Sequence, residues 1–246
     1  MIRVTQPYTE IPDVYDYLLR HVDYERWYRY IRSLIFRYMQ DPQYILEIGC
    51  GTGRFGAKFS RDDFHVFGMD SSLEMLKAAR PRARKNFRIF CGDVRNFSVA
   101  RKFDFIFSVH DTLNYLTEPA DLGRAFGSVR GAMHDDSVFM FDLTTEHNIR
   151  RFFDGRKSRH VRGGVEVTWD NSYDAAARLV YSSLEVKRRG AGVTREEHVQ
   201  RIYFIDEARE LLEGAGLELA DLFSDYTYEP PSDRTIMVNF VARKKK

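Results

Sequence analysis

The 246-residue chain carries 38 Lys and Arg against 36 Asp and Glu, a net charge of +2, with 43% hydrophobic and 14% aromatic residues. These values fit a globular chain long enough for one large domain, or a core with an insertion, and argue against extended disorder and against a broad electrostatic footprint for nucleic acid. Two cysteines exclude a disulfide framework and a typical zinc site. No apolar run approaches the roughly 20 residues of a spanning helix, and Met1 to Gln6 have no signal-peptide core. A reduced, cytoplasmic protein with no membrane partner is the expectation.

In chain order, residues 12 to 39 read as one helix, with Trp27, Ile31, Leu34, Ile35 and Tyr38 on one face, Asp23 as an N-cap and Pro42 beyond the end. Strands and helices then alternate: strand 44–48, helix 54–60, strand 64–69, a serine-capped helix 71–79, strand 87–91, the apolar strand 103–109, helix 119–130 and strand 137–143. That alternation predicts a mostly parallel sheet. The rhythm changes near residue 158, where three long polar-apolar runs, 165–173, 178–187 and 193–204, predict an antiparallel meander. A helix from Asp206 to Glu213, with Asp206 as its cap, and two strands, 217–223 and 235–242, complete the chain. The basic segments Arg80 to Lys85 and Lys244 to Lys246 read as solvated.

Leu46-Glu47-Ile48-Gly49-Cys50-Gly51-Thr52-Gly53 runs an apolar strand straight into alternating glycines. Glycine has no side chain to block a ligand, so a nucleotide-like molecule can lie against bare backbone. Asp70, 17 residues beyond Gly53, stands where a doubly wound fold puts the carboxylate that grips ribose hydroxyls. Asp93 follows a further 23 residues on. Glu47, Asp70 and Asp93 thus fall at the carboxyl ends of successive strands, the edge at which open α/β sheets bind ligands. Gly51 to Gly56 also spells G-x-G-x-x-G, but that dinucleotide frame starts late after the strand.

The pattern E-x-G-x-G-x-G, followed by Asp70, Gly92-Asp93-Val94 and Phe103-Asp104-Phe105-Ile106-Phe107, resembles the motifs of class I S-adenosylmethionine-dependent methyltransferases. Tyr15-Asp16, Asp111-Thr112-Leu113-Asn114-Tyr115-Leu116 and the late antiparallel run together resemble a branch acting on small molecules such as amino sugars and glycine-like amines. The resemblance implies a doubly wound, Rossmann-like, seven-stranded, mostly parallel α/β sheet. It divides the chain into an N-terminal helical cover (1–43), a core (44–157 and 205–246) and an antiparallel β insert (158–204). It implies S-adenosyl-L-methionine as cofactor and S-adenosyl-L-homocysteine as product. Glu47 would organise the methionine end and Asp93 would accept from the adenine amino group. Gly49, Cys50, Gly51, Gly53, Asp70, Ser71, Met75, Val94 and Ser108 would complete the cofactor site.

The expected reaction is in-line transfer of a methyl group to an amine, hydroxyl or carboxylate of a small molecule, held close and aligned by the cover and the insert. His110 and Asp111 follow strand 103–109, as a general base would, although a loop histidine or a turn carboxylate fits the same positions. By the resemblance Tyr15 aims its hydroxyl at the methyl group; an amphipathic helix also places a core aromatic there. Tyr115 reads as packing. Tyr8, Tyr15 and Trp27 offer aromatic cover, and Trp169 is a packing residue or a wall. The cluster Arg150, Arg151, Arg156, Lys157 and Arg159 is a solvated patch or a seat for an anionic acceptor. His147 and His160 lack partners at metal-ligand spacing, so no metal is expected. An RNA or protein methyltransferase, a dehydrogenase and a non-catalytic cofactor-binding module are the rival readings, and the chain is expected as a monomer or homodimer.

Overall fold

The computed structural model describes residues 2–84 and 86–245; Met1, Lys85 and Lys246, which belong to terminal and basic segments read above, lie outside the described residues. The chain opens with β1 (Arg3–Thr5), α1 (Pro12–Leu18) and α2 (Tyr24–Tyr38). The single helix expected over 12 to 39 is therefore two. Asp23 does cap the second, its carboxylate accepting from Arg26 N–H at 2.9 Å, so the capping residue read inside the long helix is the one that starts a new one.

The alternating part follows as β2 (Tyr44–Ile48), α3 (Arg54–Phe59), β3 (His65–Asp70), α4 (Leu73–Ala79), β4 (Phe87–Cys91), β5 (Phe103–Ser108), α5 (Pro119–Ala132) and β6 (Met133–Thr144). A short turn α6 (Glu146–Asn148) leads through a wide helical turn into β7 (Lys157–Arg162), β8 (Val165–Asp174), β9 (Leu179–Arg188) and β10 (Val193–Arg201). The chain ends with α7 (Ile205–Gly214), β11 (Leu217–Ser224) and β12 (Met237–Lys244). Helix α7 starts at Phe204 with no side-chain cap, and Asp206 lies within its first turn, where a carboxylate complements the helix dipole instead.

Seven strands form one sheet in the order β11-β12-β6-β5-β2-β3-β4, with β4 to β6 parallel through β2 and β3, and β12 antiparallel to both β6 and β11. Period-two alternation divides its side chains between two layers. On β6, Phe139 and Phe141 pack with α5 and α7 through Phe126, Val129, Ala208 and Leu212, while Val138 and Met140 face the α2 and α3 side with Ile31, Leu34, Phe55 and Phe59. Burying each such side chain is worth about 1.5–3 kcal/mol. Phe141 stacks on Phe240 at 4.7 Å, locking the antiparallel half to the parallel half.

The second sheet has the order β1-β10-β9-β8-β7. Strand β7, one residue ahead of the expected start of the insert, makes it a four-stranded meander, and β1 adds to it in parallel, pairing Arg3 to Thr194 and Thr5 to Glu196. Helix α1 covers its inner face: Ile11, Val14 and Leu18 pack on Val165, Val167, Leu184 and Val186. Trp169 joins that cluster as packing.

Candidate active site

The parallel strands end at one edge, where the turns after β2, β3, β4 and β5 surround a cleft of about 760 Å³. Its lining includes Gly49 and Gly51, Asp70 to Met75, Gly92 to Arg95, His110, Thr112 and Tyr115, with Tyr8 and Tyr15 contributed by the N-terminal segment. The β2 turn needs its glycines. Gly51 has φ of +52°, and a Cβ there would lie 3.2 Å from Met75 Cε and 3.9 Å from Tyr15, filling the space between them. At Gly49, with φ of +70°, a Cβ would strike Thr112 at 2.4 Å.

Asp70 ends β3 and fixes the turn. Its Oδ2 accepts from Gly51 N–H and its Oδ1 from Ser72 N–H, both at 2.8 Å. Burial raises its carboxyl above the usual range, against the lowering effect of those backbone bonds. Ser72 N-caps α4 by accepting from Met75 N–H and donates its hydroxyl to Tyr8 C=O at 3.0 Å. Asp93 lines the cleft too, but Arg95 Nε donates to it at 2.9 Å and holds its carboxyl below the usual range.

Several residues expected at the site stand behind it. Glu47 is buried and does not line the cleft; its Oε2 accepts from Gly56 N–H at 2.9 Å, capping α3 where Gly53 has no side chain to do so. Burial drives its carboxyl well above the usual range. Cys50 packs under Gly68, Gly53 forms the left-handed N-cap of α3, and Ser108 is buried at the end of β5 with no partner for its Oγ among the described residues. The lining also omits Asp111, whose Oδ2 accepts from Gln200 Nε2 at 2.6 Å. The Arg150 to Arg159 cluster is absent from the lining as well, and three of its cations pair with Glu146, Asp170 and Glu166.

His110 and Tyr15 do reach the cleft. His110 and Asp111 are consecutive non-glycine residues with φ of +68° and +50°, a strained pair. Asp142 on β6 holds them: its two oxygens accept from His110 N–H and Asp111 N–H, both at 2.8 Å, and Tyr226 Oη also donates to it. Burial pushes the Asp142 carboxyl up to about 7. Tyr226 in turn stacks on Trp27 of α2 at 3.8 Å, and Trp27 lies 4.9 Å from the His110 ring. The buried His110 Nε2 has no partner among the described residues.

Sequence reading missed Asp142, Glu196 and His198, and took Tyr115 as packing. Tyr8 Oη donates to Tyr115 Oη at 2.7 Å, and Glu196 on β10 accepts from Tyr8 N–H at 2.8 Å, anchoring the N-terminal segment to the second sheet across the cleft. One readable signal was the face of β10, where Glu196, His198 and Gln200 alternate as three inward polar side chains.

A glycine turn under the carboxyl edge of a β4-to-β6 parallel run, with an acidic strand end beside it, is the arrangement of the Rossmann-like class I methyltransferase fold. Residues 45–136 match the family model described as a methyltransferase domain. A Geobacillus protein named as a methyltransferase is 26% identical over 94% of this chain and 96% of its own length. The dTDP-3-amino-3,4,6-trideoxy-alpha-D-glucopyranose N,N-dimethyltransferase of Streptomyces venezuelae is 32% identical over 47% of this chain and 49% of its own. A solved S-adenosylmethionine-dependent methyltransferase from Clostridium acetobutylicum superposes with a TM-score of 0.84 at 24% identity, over 97% of this chain and 99% of that one.

Proposed function

We propose that the cleft holds S-adenosylmethionine and directs its methyl group to the nitrogen of a small-molecule amine by in-line displacement, leaving S-adenosylhomocysteine. The observation that carries this reading is the cleft of about 760 Å³ in which Tyr8 and Tyr15 of the N-terminal segment line the same space as the glycine turn. The residues present fit the cofactor. Bare backbone at Gly51 faces the space that a Cβ would fill, and Asp70 keeps lone pairs free beyond its two backbone bonds for ribose hydroxyls. Met75 and Val94 supply apolar walls, and Asp93 and Ser71 polar edges. The bound cofactor supplies an electrophilic methyl on a sulfonium, so the protein's part is alignment and exclusion of water, worth about 7–11 kcal/mol when the geometry is right.

Tyr8, Tyr15 and His110 line the cleft and on this reading face the acceptor. Asp111 acts as a positioning residue through the turn it shares with His110 and Asp142. Glu47 supports the glycine turn by capping α3. The amine reading is supported by the amino-sugar N,N-dimethyltransferase of S. venezuelae, which is 32% identical over 118 residues of this chain.

Calorimetry is expected to show micromolar binding of S-adenosylmethionine and S-adenosylhomocysteine, about 8 kcal/mol at 1 μM. Labelled cofactor offered with small amines, amino acids, hydroxylated sugars and carboxylic acids, beside bulk tRNA and protein, is expected to mark the amines. Labelling of tRNA or protein alone would replace this reading with a macromolecular substrate. Binding with no turnover on the whole panel would leave a non-catalytic module, and binding of NAD(H) alone a dehydrogenase.

A further inference from the structure

The N-terminal segment and the second sheet meet in a chain of four polar side chains that methyl transfer as described leaves unused. Tyr8 Oη donates to Tyr115 Oη at 2.7 Å; Tyr115 Oη lies 2.9 Å from His198 Nδ1; His198 Nε2 lies 2.9 Å from Glu196 Oε2. Glu196 is 0% and His198 4% exposed, while both tyrosines line the cleft. The hydrogens in this chain have one direction. Glu196 also accepts from the backbone N–H groups of Tyr8 and Glu10, so it is the acceptor toward His198 and the imidazole gives it Nε2–H. That leaves Nδ1 bare, to accept from Tyr115 Oη, whose own oxygen already accepts from Tyr8. Every hydrogen points from the cleft toward His198.

A carboxylate that fixes an imidazole tautomer behind a hydroxyl is the arrangement by which a histidine takes the proton of that hydroxyl. Tyr8 is held for it: its φ is +62°, and its N–H to Glu196 and its C=O from Ser72 Oγ maintain that strained backbone. Burial raises both phenols, so they stay hydroxyls and can pass a proton along. Tyr15 from α1 and Asp111 from the turn after β5 face the same hydroxyls, Glu10 turns to Arg3, and Arg195 on β10 turns to Glu185 and Glu197.

We propose that His198, backed by Glu196, receives through Tyr115 and Tyr8 the proton that an ammonium acceptor loses before methyl transfer. This rests on the amine reading. The acceptor N–H proton passes to Tyr8 Oη, the Tyr8 proton to Tyr115 Oη, and the Tyr115 proton to Nδ1, giving an imidazolium held by Glu196. The freed nitrogen lone pair forms the bond to the methyl carbon, and the carbon–sulfur bond breaks with its electron pair left on sulfur. The proton on His198 returns to water through the same hydroxyls when product leaves.

Two measurements on the full chain test it. Nitrogen-15 NMR of histidine-labelled protein is expected to show His198, in its neutral form, protonated at Nε2 and bare at Nδ1, with Tyr115→Phe moving the Nδ1 resonance. An Nδ1–H tautomer reverses the chain and overturns the proposal, whether or not any acceptor is methylated. In pH profiles, Tyr115→Phe, which keeps the ring, is expected to lower kcat about 100-fold where the acceptor arrives as ammonium, with cofactor affinity unchanged, and to recover where it arrives as free amine. His198→Gln is expected to give the same shape. A loss uniform across pH is structural and overturns the proposal. If the wild type binds cofactor and methylates no amine at any pH, the amine reading falls and the relay with it, a failure told apart because it is seen in the wild type and not only in the variants.

Discussion

Asp70 serves the glycine turn and the cleft with one carboxylate. With both oxygens already holding Gly51 and Ser72 N–H groups, Asp70→Ala loses more than a ribose contact. On the proposed reading, cofactor affinity by calorimetry drops about 10- to 150-fold, the equivalent of 1.5–3 kcal/mol for a bond to a charged acceptor. The two orphaned backbone donors also lower the unfolding free energy without ligand by about 1–3 kcal/mol. A variant that loses neither returns Asp70 to a plain strand end. Asp70 was legible because its distance from Gly53 follows from one helix and one strand of fixed length. Asp142 was not. It lies inside a strand, Ser137 to Leu143, whose other residues are nearly all apolar, and its role depends on two left-handed residues 32 and 31 positions away that meet it only across β5 and β6.

At the scale of elements, the N-terminal segment is an integral part of the second sheet. Because β1 pairs with β10 and α1 buries Ile11, Val14 and Leu18 against β8 and β9, removing the first twenty residues would strip an apolar face. Ile11→Ala is the cleaner probe: Ile11 is 1% exposed, and such truncations cost about 2–5 kcal/mol. Hydrogen exchange is expected to show β8 and β9 losing protection while β2, β3 and β5 keep theirs, since those strands pack in separate clusters. Equal loss across both sheets would mean that the two unfold as one unit. At the other helix, Asp23→Ala removes the α2 cap and is expected to lower the melting temperature in line with about 0.5–2 kcal/mol. The parallel strands were readable from their apolar runs and turn residues. Strand β1 was not, because three exposed or half-exposed residues carry no pattern, and their partner is nearly 200 positions away. The break between α1 and α2 was hidden because both helices present apolar faces at helical spacing, and only Asp23 marks the join.

Over the whole molecule, three acids near the cleft share an unusual sign. Burial raises Glu47, Asp70 and Asp142, the last to about 7, so the folded protein holds their protons at a pH where the unfolded chain has released them. Stability from such groups is fully present below their unfolded values near 4 and is lost as pH rises through the folded ones. For Asp142 the window runs from 3.8 to about 7, with a slope of at most about 1.4 kcal/mol per pH unit. Asp13 and Asp93, paired with Arg188 and Arg95, have lowered values and the opposite sign. Their stabilisation is lost only as pH falls below the ordinary carboxylate range, and solvent weakens it because both are partly exposed. The unfolding free energy of the ligand-free protein is therefore expected to fall between pH 4 and 7. Asp142→Asn tests the assignment: its amide matches only some of the donors from His110, Asp111 and Tyr226, so stability drops at every pH. It has no proton to exchange, so the pH slope from denaturant melts is expected to flatten across the window. A variant with a slope parallel to the wild type would locate the titration in Glu47 or Asp70 and free Asp142 from it. The same carboxylate holds the turn that aims His110, so on the proposed reading methyl transfer by Asp142→Asn weakens at every pH as well, even where its stability curve has become flat.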